Sequence, residues 1–143
     1  MAISFNSENF FNLKNKSKLK YWLKQVIENQ GYKLGNISYI FCSDERILEI
    51  NKQYLSHDFY TDIITFDYVE KEKISGDIFI SIDRVKENAL NYEEDFQHEL
   101  LRVMAHGVLH LLGFEDNSEE EKKLMRQREN EAIDLHYTLY SNE

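Results

Sequence analysis

The chain has 143 residues, 42% of them hydrophobic and 13% aromatic, which suits one soluble domain with a packed core. Its formal charge of −9 excludes a protein that grips nucleic acid over its whole surface, although a local basic face or a metal ion can still receive a single RNA phosphate. The lone cysteine, Cys42, excludes an internal disulfide and fits a reducing compartment; with no signal-peptide layout at residues 1–6 and no apolar run of membrane-spanning length, a cytoplasmic protein without a membrane partner is expected.

Residues 2–6 read as a short strand in which Ile3 and Phe5 alternate with polar neighbours. A helix is expected over 16–30, since Leu19, Trp22, Leu23, Val26 and Ile27 recur at helical spacing and Gly31 is a natural stop. Lys14, just before it, and Lys16, Lys18, Lys20 and Lys24 within it form the one basic cluster, either a solvated face or a nucleic-acid contact. The β-branched and aromatic run 36–42 reads as a strand. Ser43 then caps a helix reaching Tyr54, with Ile47, Leu48, Ile50 and Tyr54 inward. Strands over 62–68 and 76–81, joined by the charged turn 70–73, predict an antiparallel hairpin. Helices follow over 82–92 and from about Asp95 to Leu112. Ser118 and Glu121 form a capping box for a last helix through His136, with Leu124, Met125, Ala132, Ile133 and Leu135 inward. With no proline, linker or repeat, residues 1–143 are expected to form one α/β (α+β) domain. About five helices would pack a small, mostly four-stranded mixed sheet, and the 100–112 helix would be the most buried.

That helix carries the chemistry. His106 and His110 stand four residues apart, so both imidazoles point from one face toward a common spot. Gly113 can end the helix in a left-handed conformation and fold Asp116 back beside the rings. Two nitrogens, one carboxylate oxygen and an open fourth position describe a catalytic zinc site, one Zn2+ per chain. A free imidazole among Val103, Met104, Val108, Leu109, Leu111 and Leu112 would be costly to bury without such a partner.

The run His106-Gly107-Val108-Leu109-His110-Leu111-Leu112-Gly113-Phe114-Glu115-Asp116 resembles the signature of the YbeY endoribonucleases, bacterial ribosomal-RNA maturation factors. The resemblance continues in Asn51-x-x-Tyr54, in Asp58-x-x-Thr61-Asp62-Ile63-Ile64-Thr65-Phe66 and in Gly76-Asp77-Ile78. It implies a metal-dependent, single-strand-specific endoribonuclease acting in 3′-end processing of 16S ribosomal RNA and in ribosome quality control. The implied partners are RNA and ribosomal or small-subunit proteins, with no DNA. Three positions depart from the pattern: Asp116 replaces the usual third histidine, Leu55 an arginine associated with the scissile phosphate, and Tyr60 a proline. The extra negative charge of Asp116 makes the ion a weaker Lewis acid. Arg46, Lys52 and Arg102 are the candidate replacement cations, which the sequence does not rank, and the catalytic base is unassigned.

Two other readings stay open on the residues alone. The spacing His-x-x-x-His-x-x-Gly-x-x-Asp also belongs to metzincin-like peptidases, but those carry a glutamate after the first histidine, where this chain has Gly107. The pair His98-Glu99 starts the same motif and then fails, with Arg102 where a histidine belongs. The alternative is a metal-stabilised ribosome-assembly factor without nuclease activity, which the acidic surface and Leu55 favour. Glu115 reads as a supporting or surface acid, and His57, His98 and His136 as surface or helix-terminal residues.

Overall fold

The computed structural model describes residues 2–55 and 61–141. The chain runs β1 (Ile3–Ser7), α1 (Lys16–Asn29), β2 (Lys33–Cys42), α2 (Asp44–Leu55), β3 (Ile63–Asp67), β4 (Lys73–Ser81), α3 (Ile82–Asn91), α4 (Phe96–Leu111) and α5 (Glu119–Tyr140). The four strands form one mixed sheet in the order β1-β2-β4-β3. β2 pairs in parallel with both β1 and β4, and β3 returns antiparallel along β4 with Ile64 opposite Phe79, as the short charged turn predicts.

Alternation along the strands sorts side chains between two faces. Ile37, Tyr39 and Phe41 of β2 and Ile74, Ile78 and Ile80 of β4 point into the main core, where they meet apolar residues of α1, α3, α4 and α5. Cys42, Ile64, Phe66 and Phe79 face the other way and are covered by Ile47 and Ile50 of α2. α4 lies at the centre of the main core and is buried, through residues such as Leu100, Val103, Met104 and Leu109, on every side except the half-buried stripe of His98, Arg102, His106 and His110. Gly107 permits this close seat: a Cβ there would lie 2.9 Å from both Ile63 Cδ1 and Ile78 Cγ2. Two hydrogen bonds fix the layers. Tyr39 Oη donates to the Met104 carbonyl at 2.8 Å, and Trp22 Nε1 donates to the Ala132 carbonyl at 2.7 Å.

Several sequence expectations need correction. Tyr54 is 61% exposed, its ring resting edge-on against Phe66; the inward stripe of α2 is Ile47, Ile50 and Asn51, and Leu48 is only half-buried. Leu124 is 41% exposed because the inward stripe of α5 runs through Met125, Glu129, Ala132 and Ile133, one residue out of phase with it, while Leu135 is half-buried. α5 continues past His136 to Tyr140, whose hydroxyl donates to the Lys18 carbonyl at 2.8 Å. β2 and β4 each begin three residues earlier than expected. His57, Asp58 and Tyr60 lie outside the described residues.

Candidate metal centre

α4 ends in a tight reversal. Gly113 adopts φ +100°, its N–H donates to the His110 carbonyl, and the Phe114 N–H reaches back to the Leu109 carbonyl, both at 3.0 Å. This paired 5→2 and 6→1 pattern satisfies the last carbonyls of the helix and needs the left-handed residue that glycine supplies. The turn delivers Asp116 to the face of α4 that carries His106 and His110, as the sequence predicts. Asp116 Oδ2 lies 3.4 Å from His106 Nε2 and 3.5 Å from His110 Nε2, and the two ring centroids are 4.5 Å apart. One ligand atom from each of the three residues fits within a 4.8 Å span.

Those distances fit an ion better than hydrogen bonds. N–H···O bonds cluster at about 2.7–3.2 Å. A tetrahedron of ligands about 2.0–2.1 Å from zinc has edges of about 3.3–3.4 Å. The donor set, two imidazole nitrogens and a carboxylate oxygen, is also the one borderline-soft divalent ions accept. Burial first holds the His110 pKa below the ordinary histidine range, a shift toward the neutral ring that a ligand needs.

The far side of His106 is held from α5. Its Nδ1 lies 2.6 Å from Oε2 of Glu129, a residue only 2% exposed, which leaves Nε2 turned toward Asp116. Burial raises the Glu129 carboxyl, but the His106 hydrogen bond and the Arg102 and Arg126 charges together hold it below the usual range. Arg102 joins the same network. Its Nε donates to Glu99 Oε1 at 2.9 Å, Nη2 pairs with Glu99 Oε2, Nη1 reaches Glu129 Oε1 at 3.3 Å, and Asp62 lies 3.8 Å away. Asp62 also accepts from the Asn88 amide at 3.2 Å, and burial raises its pKa.

Two clefts open on the triad and share Arg102, His106 and Asp116. One, roughly 320 Å³, is completed by Thr61, Asp62, Ile63, Thr65 and His110. The other, roughly 470 Å³, runs onto the first turns of α5. Of the three candidate cations only Arg102 borders them; Arg46 is paired with Glu8 and Glu49, and Lys52 is in the lining of neither. Glu115 is exposed and outside both linings. Lys14 and Lys18 line a separate cleft with His98, His136 and Tyr137. The sequence reading missed Glu129 altogether. Its signal was a carboxylate on the inward stripe of an amphipathic helix. No helix among the described residues is long and apolar enough to cross a membrane.

A family model described as Endoribonuclease YbeY matches residues 3–136. A Parabacteroides distasonis protein named Endoribonuclease YbeY is 51% identical over 134 residues, covering 93% of this chain and 94% of its own. A Flavobacterium johnsoniae protein of the same name is 47% identical over 131 residues, covering 92% and 94%. The solution structure of a Thermotoga maritima protein superposes with a TM-score of 0.68 at 28% identity, over 98% of this chain and 92% of the other.

Proposed function

The chain belongs to the YbeY endoribonuclease family, and from that footing we propose that it cuts RNA at a zinc ion held by His106, His110 and Asp116. The observation that carries this reading is the convergence of the three donors, with both nitrogen–oxygen distances close to the edge of a zinc tetrahedron. Neither rival has such support. A peptidase base would have to stand at Gly107, whose Cβ direction is filled by Ile63 and Ile78 rather than open to the clefts. A purely structural ion would have no use for two clefts meeting at its ligands.

When bound, the ion supplies Lewis acidity, drawing electron density from a phosphate oxygen and making water easier to deprotonate. The protein sets the protonation states around it. Glu129 keeps the proton of His106 on Nδ1, so Nε2 presents a lone pair. Arg102 borders both clefts, but its charge is shared with Glu99 and Glu129, and it holds the Glu129 carboxylate in place against His106. Asp62 borders the smaller cleft with its pKa raised by burial, and its carboxylate is the group there suited to accept a proton from the attacking hydroxyl. The substrate in this reading is ribosomal RNA, cut in a single-stranded segment during 3′-end maturation of the small-subunit RNA. The setting is the cytoplasm, alongside ribosomal proteins.

Elemental analysis and cleavage of a labelled single-stranded RNA test the assignment together. His110→Ala is expected to lose both zinc and cleavage, whereas Asp62→Asn is expected to keep zinc and lose cleavage. Full zinc content in His110→Ala overturns the ligand set, and full cleavage in Asp62→Asn removes that residue from the proton transfer.

A further inference from the structure

The larger of the two clefts at the triad differs in character from the smaller. In a chain of net charge −9, it places Lys122, Lys123 and Arg126 of α5 along one wall, with His106 and Asp116 on the same lining. Lys122 and Arg126 are one helical turn apart, about 6 Å along the axis, and Lys123 is three residues from Arg126, so the three share a face. All three are exposed, while Met125 between them is buried and anchors that turn in the core.

Their charge is little committed elsewhere. Lys122 Nζ lies 3.8 Å from Glu119 in a pair whose side chains are 58% and 89% exposed, a contact weak enough to exchange for a phosphate. Lys123 has no ion pair among the described residues. Arg126 is 57% exposed and touches Glu129 at 3.6 Å through one guanidinium nitrogen, which leaves the rest of its fork toward the cleft. The acids on this lining are Asp116, Glu119 and Glu129, and two of them belong to the metal centre and its support. Meanwhile Leu55 provides no cation at the position where the family pattern has arginine.

We propose that Lys122, Lys123 and Arg126 form the phosphate track that holds the RNA strand beside the scissile bond, so that α5 rather than α2 supplies the substrate-binding cations of this chain. The proposal rests on the endoribonuclease reading of the centre. A strand with one phosphate at the triad must lay its neighbouring phosphates along a cleft wall, and of the two clefts that meet there this one carries exposed cations within a turn of each other.

The test is the salt dependence of binding to a labelled single-stranded RNA 12-mer, followed by fluorescence anisotropy with the RNA verified intact. Zinc-loaded native protein is compared with a Lys122→Gln/Lys123→Gln/Arg126→Gln variant and with a Lys14→Gln/Lys18→Gln/Lys20→Gln variant. Each lost phosphate contact removes about 0.7 from the slope of log affinity against log salt, so the α5 variant is expected to lose about 2 in slope and to bind on the order of 100-fold more weakly at 0.1 M salt. Its zinc content and circular dichroism are expected to match native. Affinity and slope within twofold of native overturn the track, as does a loss confined to the α1 variant. Native protein that holds zinc but binds no RNA at any salt overturns the endoribonuclease reading itself, and the track with it.

Discussion

Replacing Glu129 by glutamine removes one charge from the centre while keeping its shape. Glu129 is 2% exposed and sits between His106 Nδ1 at 2.6 Å and Arg102 Nη1 at 3.3 Å. Glutamine can still accept one hydrogen bond, but it no longer stabilises the ligand imidazole electrostatically, and its amide can turn and favour the wrong tautomer. Loss of such a carboxylate–histidine support lowers metal affinity about 10- to 100-fold, or about 1.4–2.8 kcal/mol. The metal-free protein weakens as well. Arg102 keeps Glu99, so the cost falls between about 1.5 kcal/mol for a weaker hydrogen bond to a charged group and about 3–5 kcal/mol for a stranded buried charge. Taken as about 2 kcal/mol, this lowers Tm by roughly 4–8 °C in a domain of this size. Zinc competition against a chromogenic chelator, with calorimetry of both forms, separates the two effects: Tm falls without zinc, and the zinc-induced rise also shrinks. Native zinc affinity together with an unchanged zinc-induced rise would refute the claim that Glu129 supports the centre through His106.

Gly107→Glu, which writes the peptidase motif into α4, is expected to give no peptidase. It should instead destabilise the fold by at least about 3 kcal/mol in urea denaturation, since its first atom meets Ile63 and Ile78 at 2.9 Å and its charge is buried among them. A well-folded variant that hydrolyses casein contradicts this. Cys42 is fully buried and its thiol is pushed up to about 12, by burial first and then by nearby Glu8. It should resist a thiol-specific disulfide reagent at pH 8 until the protein is unfolded. Because the unfolded thiol ionises near the ordinary thiol value of 9.0 while the folded one stays protonated, the unfolded state sheds protons first. Cys42 therefore stabilises the fold fully below about pH 9, and that contribution declines as pH rises toward 12; a Cys42→Ser variant should show a shallower loss over that window.

The convergence of His106, His110 and Asp116 was legible because everything that builds it is local. Two histidines one turn apart, a glycine that can take positive φ and an acid three residues later are fixed by helix geometry, whatever the remainder of the fold. The β3–β4 hairpin was legible for the same reason, its turn being short. The parallel pairing of β2 with β4 was not, because the two strands are separated by α2 and β3, and no local pattern records which distant edge a strand joins. Glu129 lies 23 residues from His106, and only the packing of α5 against α4 brings them together. Glu99 was noted as half of a false peptidase motif, yet its role is to neutralise Arg102 inside the core. Buried carboxylates on otherwise apolar helix stripes are the trace such networks leave in a sequence. Tyr54 and Leu124 show the opposite failure, periodicity extended one position beyond the surface that could cover it.

One imidazole of the triad is gripped by the C-terminal helix as well as turned toward Asp116, and for an ion bound at the proposed site thermodynamic reciprocity follows from that double hold. Whatever free energy Glu129 adds to ion retention, the ion returns to the seating of α5 on α4. A macromolecule that pried this helix away would thereby loosen the ion without displacing any of its ligands, and chelation would in turn make the C-terminal helix easier to detach.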